Sequence, residues 1–173
     1  MEETEDVSMK SVAIKYGVIN GIIAIAYFLV LDFTGNAGNQ GLSMVGLLFT
    51  AIVMFLAQKE FIRDGDGFMN YGQGLGLGTL LSLVSAIISS IFTYIYISYI
   101  NDSFLDTMKE QQIVAMEEQG MSDAQIEQAL KMSESFSGPT AILIFGIIGG
   151  VFFGFIISLI VSAITKKARP EFE

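Results

Sequence analysis

Cysteine and histidine, which carry much of protein chemistry, are both missing from these 173 residues. Their absence removes disulfides, thiolate nucleophiles, imidazole bases and the usual zinc and haem ligands. Carboxylates, hydroxyls and amides remain, so a metal here would have to be hard and oxygen-ligated. Inside a membrane an ionisable residue is a functional candidate by default, and the apolar stretches hold almost none. Asp32 stands at the end of the first stretch, where headgroups are expected. The other polar candidates are Asn20 and the hydroxyls of the third stretch, Ser82, Ser85, Ser89, Ser90, Thr93 and Ser98. They suit interhelical hydrogen bonds or the lining of a polar path. Hydroxyls with no base beside them make no activated nucleophile, so the expectation is a non-enzyme without cofactor.

Two glycine-rich motifs invite sharper readings and fail on spacing. From Gly72, the run GQGLGLG places Leu77 where a dinucleotide fingerprint needs its third glycine. It reads instead as a small-residue entry to a helix. Asp64-Gly65-Asp66-Gly67 resembles the opening of a calcium loop, but Phe68 occupies the third ligand position. A turn at a membrane surface explains it better.

The elements that must position these residues follow from hydropathy. Hydrophobic residues make up 52% of the chain and charged ones 16%, against roughly a quarter charged in soluble domains. Mean hydropathy is +0.59. The apolar residues fall into four blocks, 12–31, 41–57, 74–100 and 140–165, each near or above the ~20 residues that cross a bilayer. The fold expected is all-α: a single four-helix membrane domain over 1–173, with a helical hairpin, 101–138, between the third and fourth spans. A cleaved leader is not expected, because residues 1–11 are acidic rather than basic.

The hairpin is legible from its punctuation. Gly120 fits a helix C′ position. Ser122 with Gln125 has the form of a capping box, and Met121 with Ile126 that of a hydrophobic staple. Pro139 then opens the fourth span at N1.

Two spans carry small residues every fourth position: Gly74, Gly78, Ser82, Ala86 and Ser90 in the third, and Gly146, Gly150, Gly154, Ser158 and Ser162 in the fourth. Such stripes, of glycine-zipper type, let helix backbones approach closely where lipid supplies no hydrophobic drive between helices. They can pack within the chain or face outward to a partner. The spacing alone leaves both open.

Orientation follows from the basic residues. Lys10, Lys15, Lys59, Arg63, Lys166, Lys167 and Arg169 share one side of a four-span chain, and Lys109 and Lys131 the other. By the positive-inside rule both termini are expected in the cytoplasm. The hairpin, with Asp102, Asp106, Glu110, Glu117, Glu118, Asp123, Glu127 and Glu134, is then extracytoplasmic. The net charge of −9 argues against nucleic acid as a partner.

The segment from Gln58 to Asn101, QKEFIRDGDGFMNYGQGLGLGTLLSLVSAIISSIFTYIYISYIN, followed by EEQGMSDAQIEQAL, resembles the domain-of-unknown-function 4199 family of small four-span bacterial membrane proteins. The resemblance runs from about Val7 to Ala168. Its most specific parts are Lys59-Glu60-Phe61-Ile62-Arg63, Tyr71-Gly72-Gln73 and the Gly-Met-Ser turn. Relatives often carry proline after the Asn that ends the third span; Asp102 here allows a helix continuous into the hairpin. The resemblance implies a bacterial inner-membrane location and supplies no activity.

Two functions fit. One is an accessory or scaffold subunit that contacts a membrane-protein partner, or another copy of itself, through a small-residue face and offers the acidic hairpin to a periplasmic partner. The other is a small oligomeric channel or transporter for an uncharged or weakly polar solute.

Overall fold

A computed structural model describes residues 8–134 and 138–169 of the chain. The described residues form six α-helices: α1 (Met9–Phe33), α2 (Gln40–Asp64), α3 (Tyr71–Ile95), α4 (Phe104–Glu118), α5 (Asp123–Glu134) and α6 (Pro139–Thr165). Among the described residues there is no strand, only an isolated antiparallel bridge between Met69 and Lys167. Helices α1, α2, α6 and α3 with its extension to Ile100 are long and apolar enough to cross a membrane. The fold is an all-α membrane bundle.

Its surface is that of a protein in lipid. Phe33, Met44, Leu48, Ile148, Phe152 and Ile164 all lie more than half exposed. Water would not tolerate so much contiguous apolar area on a monomer, whereas hydrocarbon solvates it. The core is correspondingly thin, centred on Ala13, Met54, Ala57, Leu77 and Leu81, each fully buried.

Helix α3 is the spine. It packs along its length on α1 and on α6, while α2 lies mainly against α1 and α6. Each span reverses its predecessor, so one end of the bundle carries the start of α1 and the end of α6, and the other the α4–α5 hairpin.

Several element ends differ from the hydropathy reading. Helix α2 continues beyond Ala57 to Asp64, so Gln58, Lys59, Glu60 and Arg63 are helical. Helix α3 begins at Tyr71, held by a full capping box in which Asn70 Oδ1 accepts from Gln73 N (2.9 Å) and Gln73 Oε1 accepts from Asn70 N (2.8 Å). Only residues 65–70 join the two.

The third span does not run on into the hairpin. Its last turn, Tyr96–Ile100, widens to a π-helix, and Asn101 N donates back to Tyr96 O at 2.9 Å. Asn101 then leaves helical conformation (φ −131°, ψ 85°) while its side chain donates to Asp32. That tertiary bond, rather than a proline, sets the break. Helix α4 therefore starts at Phe104, not at Asn101.

The hairpin turn has the geometry its punctuation implies. Gly120 sits at φ +77°, Gly120 N donates to Glu117 O (2.9 Å) and Met121 N to Met116 O (3.1 Å). This is a Schellman closure, and only glycine enters it without steric cost. Ser122 and Gln125 form half of a capping box. Gln125 Oε1 accepts from Ser122 N at 2.9 Å, but the Ser122 hydroxyl also donates to that oxygen instead of accepting Gln125 N. Ile126 is buried at the start of α5.

Candidate functional site

The two small-residue stripes meet each other. Antiparallel α3 and α6 pair Gly74 with Ser162, Gly78 with Ser158, Ser82 with Gly154, Ala86 with Gly150 and Ser90 with Gly146. In four pairs a glycine faces a serine, and in the fifth it faces an alanine. A Cβ built on Gly154 would lie 2.2 Å from Ser82 Cβ, and one on Gly150 would lie 2.7 Å from Ala86 Cβ. The helices are thus as close as bare backbone allows, which maximises dispersion where lipid offers no hydrophobic drive. Helix α1 joins in the same way: a Cβ on Gly17 would lie 2.9 Å from Leu81 O.

At the end where α1 starts and α6 stops, the bundle is sealed by an amide. Gln58 of α2 is fully buried. Its Nε2 donates to Gly74 O and to Ser162 Oγ, both at 2.9 Å, and its Oε1 accepts from the Thr165 hydroxyl. Three spans are tied by one side chain with every polar atom engaged, as a low-dielectric setting demands. Met54, stacked just above on α2, is fully buried too, its sulfur 2.7 Å from where a Cβ on Gly78 would stand.

Above this seal a cavity of about 320 Å³ lies among the four spans. Its walls are mostly apolar, with Ile23, Tyr27, Leu47, Phe153 and Ile157 among them, and Gly146, Gly150 and Gly154 flank it on α6. Ala37 and Ser43, from the α1–α2 turn and the start of α2, line its hairpin end. The volume falls at the small end of ligand pockets, which combine apolar walls with a few placed polar groups.

The polar groups come from three helices. Asn20 of α1, only 4% exposed, donates through Nδ2 to Ser85 Oγ of α3 at 2.9 Å and to Thr50 Oγ1 of α2 at 3.3 Å. Thr50 directs its own hydroxyl to Gly46 O at 3.2 Å, so towards Asn20 it can only accept. Ser82 and Ser89, also in the lining, turn their hydroxyls onto the α3 backbone at Gly78 and Ala86. The remaining third-span candidates lie elsewhere: Ser90 opposes Gly146 in the seam, and Thr93 and Ser98 do not line the cavity.

The hairpin end is tied down by a second polar set. Asp32 Oδ2 accepts from Tyr96 Oη (2.5 Å) and Asn101 Nδ2 (3.2 Å), joining the end of α1 to the π-turn. Around this pair Phe28 packs its ring against Phe92, Tyr96 and Phe104 at centroid distances of 5.4 to 6.5 Å. Gln111 of α4 clamps the α1–α2 turn, its Oε1 accepting from Gly38 N (2.6 Å) and its Nε2 donating to Gly35 O (2.9 Å). The hairpin therefore grips the turn that carries Ala37 at the cavity's end.

At the opposite end, Lys15 of α1 pairs with Glu60 of α2 (2.8 Å), and Tyr16 donates to the same carboxylate at 2.9 Å. The chain after α6 bridges to the α2–α3 turn, with Lys167 N donating to Met69 O (2.8 Å) and Met69 N to Lys167 O (3.0 Å). Arg169 pairs with Asp66, holding that carboxyl below its ordinary range.

A model of the family described as Protein of unknown function (DUF4199) matches residues 15–167. The chain belongs to that family. No characterised protein and no solved structure was found to match it. The matched segment contains the first span from Lys15 onward, the other three spans, the cavity residues and Gln58.

Of the residues singled out by sequence, the seam brings together Gly74, Gly78, Ser82, Gly146, Gly150, Gly154 and Ser158. The hairpin residues Gly120, Met121, Ser122, Gln125 and Ile126 stand apart from it at the α4–α5 turn. Sequence reading missed Gln58, which hydropathy places in a charged loop, and Gln111, which is one more polar residue on an amphipathic helix. It also missed the capping box at Asn70, although Asn-Tyr-Gly-Gln carries the signal openly.

Proposed function

We propose that this is a non-catalytic multi-pass protein of the bacterial inner membrane that takes up a small uncharged, weakly polar solute in the cavity between its spans, as a carrier does. The observation that carries this reading is the convergence of Asn20, Thr50 and Ser85 from three helices on one cavity, with no charged side chain among the described residues of its lining. A charged solute would leave its hydration shell there without compensation. Sealing by Gln58 and Met54 at one end argues for a site reached from one side at a time rather than an open channel.

The distribution of basic residues supports cytoplasmic termini and a periplasmic hairpin. On that orientation the cavity extends towards the periplasmic end. The accessory-subunit reading keeps the acidic hairpin as its support, while the two glycine-zipper stripes are already paired within the chain.

The test is solute flux into proteoliposomes, followed by light scattering with uncharged solutes such as glycerol and urea. Faster re-swelling that is lost in Ala24→Phe, which fills the cavity, is the expected result. No acceleration for any solute, together with a stoichiometric, salt-resistant partner co-purifying from the native membrane, would transfer support to the subunit reading.

A further inference from the structure

We infer that the cavity recognises a hydroxyl group on an otherwise apolar small molecule, reading it with the free acceptor of Asn20 and the free donor of Ser85. The inference rests on the cavity being a binding site and names the chemistry it selects.

The argument is an accounting of hydrogen bonds. Both Asn20 Nδ2 protons are spent, on Ser85 and Thr50. Asn20 Oδ1 then has no partner among the described residues, although an amide oxygen accepts two hydrogen bonds. Among those residues no fully enclosed side-chain nitrogen or oxygen lacks a partner. An unpartnered Oδ1 is therefore one that open space reaches, and the open space Asn20 lines is the cavity. Ser85 is in the complementary position. Its oxygen accepts from Asn20, while its own proton has no acceptor among the described residues, and it too is buried against the cavity. The two residues are bonded at 2.9 Å, so the free acceptor and the free donor are neighbours.

A group that answers both must donate and accept from adjacent points. A hydroxyl does so with a single oxygen. An ether or ketone can only accept, and would leave Asn20 Oδ1 unanswered. A carboxylate would set its charge against that oxygen in apolar surroundings. The walls beyond this pair, Ile23, Leu47, Phe153 and Ile157, ask for an apolar body. At about 320 Å³ the space suits a small molecule.

The experiment uses the full chain in lipid nanodiscs and an octanol bearing a diazirine on its chain. After photolysis, peptide mapping locates the label. Protection is then compared between 1-octanol and its isomer 1-methoxyheptane at equal concentrations in the membrane. The expected result is labelling of residues lining the cavity, protected on the order of tenfold better by the alcohol, the scale of one hydrogen bond in an apolar setting. Asn20→Leu should abolish that preference while labelling persists. Should Asn20→Leu fold poorly, Ser85→Ala is the second variant, and it should weaken protection by both competitors. Cavity labelling with equal protection by alcohol and ether overturns the hydroxyl inference and leaves the cavity as a binding site. Labelling spread over lipid-facing residues and unchanged by Ala24→Phe overturns the binding site itself.

Discussion

Gly154 and Ser82 face each other across the α3–α6 seam so closely that a Cβ on the glycine would overlap the serine's own Cβ and Oγ, at 2.2 and 2.1 Å. Backbone flanks both positions, so neither helix can yield without opening the seam. Gly154→Ala is expected to destabilise the bundle by about 1–3 kcal/mol, the usual cost of overpacking. Gly149, one position from the seam residue Gly150, has nothing within 4 Å of its missing Cβ. Gly149→Ala should be neutral or slightly stabilising. Reversible unfolding of the two variants in mixed micelles checks the contrast, and equal losses would count against the seam.

Gln58 is the other internal tie. Gln58→Leu keeps the volume but leaves Ser162 Oγ and Gly74 O without their shared donor. Gly74 O keeps a long bond from Ser158 Oγ (3.4 Å) and Thr165 its bond to Val161 O (2.9 Å), so Ser162 Oγ is the group left short. The expected loss is about 1–3 kcal/mol. Lys59→Leu, one residue along the same helix, should change stability far less, since among the described residues its ammonium only overlies the Phe55 ring, 5.5 Å from the centroid. The same unfolding assay separates them.

The hairpin turn depends on a left-handed glycine. Gly120→Val places a β-branched residue at φ +77°, which costs about 1–2 kcal/mol or more. The effect should stay local, because the turn lies apart from the spans. Limited proteolysis at 119–122 should accelerate while the spans remain protected. Unchanged resistance of the turn would contradict the Schellman geometry.

Gln111 holds the α1–α2 turn through two backbone groups. Gln111→Ala should therefore raise hydrogen exchange at 35–38 without changing exchange in α3 or α6. If exchange in that turn does not rise, the clamp is not what orders the end of the cavity.

The strap at the other end carries a pH dependence. Arg169 holds the Asp66 carboxyl below its ordinary range, so the folded value lies beneath the unfolded one. The contribution is then present above the unfolded carboxylate pKa of about 4 and disappears as pH falls through the folded value. The protection factor of the Lys167 amide, its slowing relative to an unstructured amide at the same pH, should fall on acidification across that window. In Asp66→Asn that protection factor should already be low at neutral pH and should not fall further on acidification.

How much of this was legible in the residues follows from which physical rule each feature obeys. The spans were readable because hydrocarbon forces every backbone group to be satisfied within its own helix, so apolar length alone announces them. The stripes were readable because a four-residue spacing must lie along one helix face. The hairpin turn was readable because a left-handed residue and a helix start leave a local signature at Gly120 and Ser122. None of these depends on what lies across the bundle.

The rest depends on that neighbour. Nothing in the sequence of α3 says whether Gly78 meets Ser158 of the same chain or another protein; only the antiparallel placement of α6 decides it. Gln58 beside Lys59 and Glu60 reads as surface, and it is interior because α3 and α6 bring Gly74 O, Ser162 and Thr165 within its reach. Asn101 breaks the third span through Asp32, 69 residues away. Asn20 could be recognised as a polar residue in need of a partner, but its partners on two other helices, and the oxygen they leave free, are set by tertiary structure. A polar side chain in lipid must bond to something, and the sequence states the need without naming the partner.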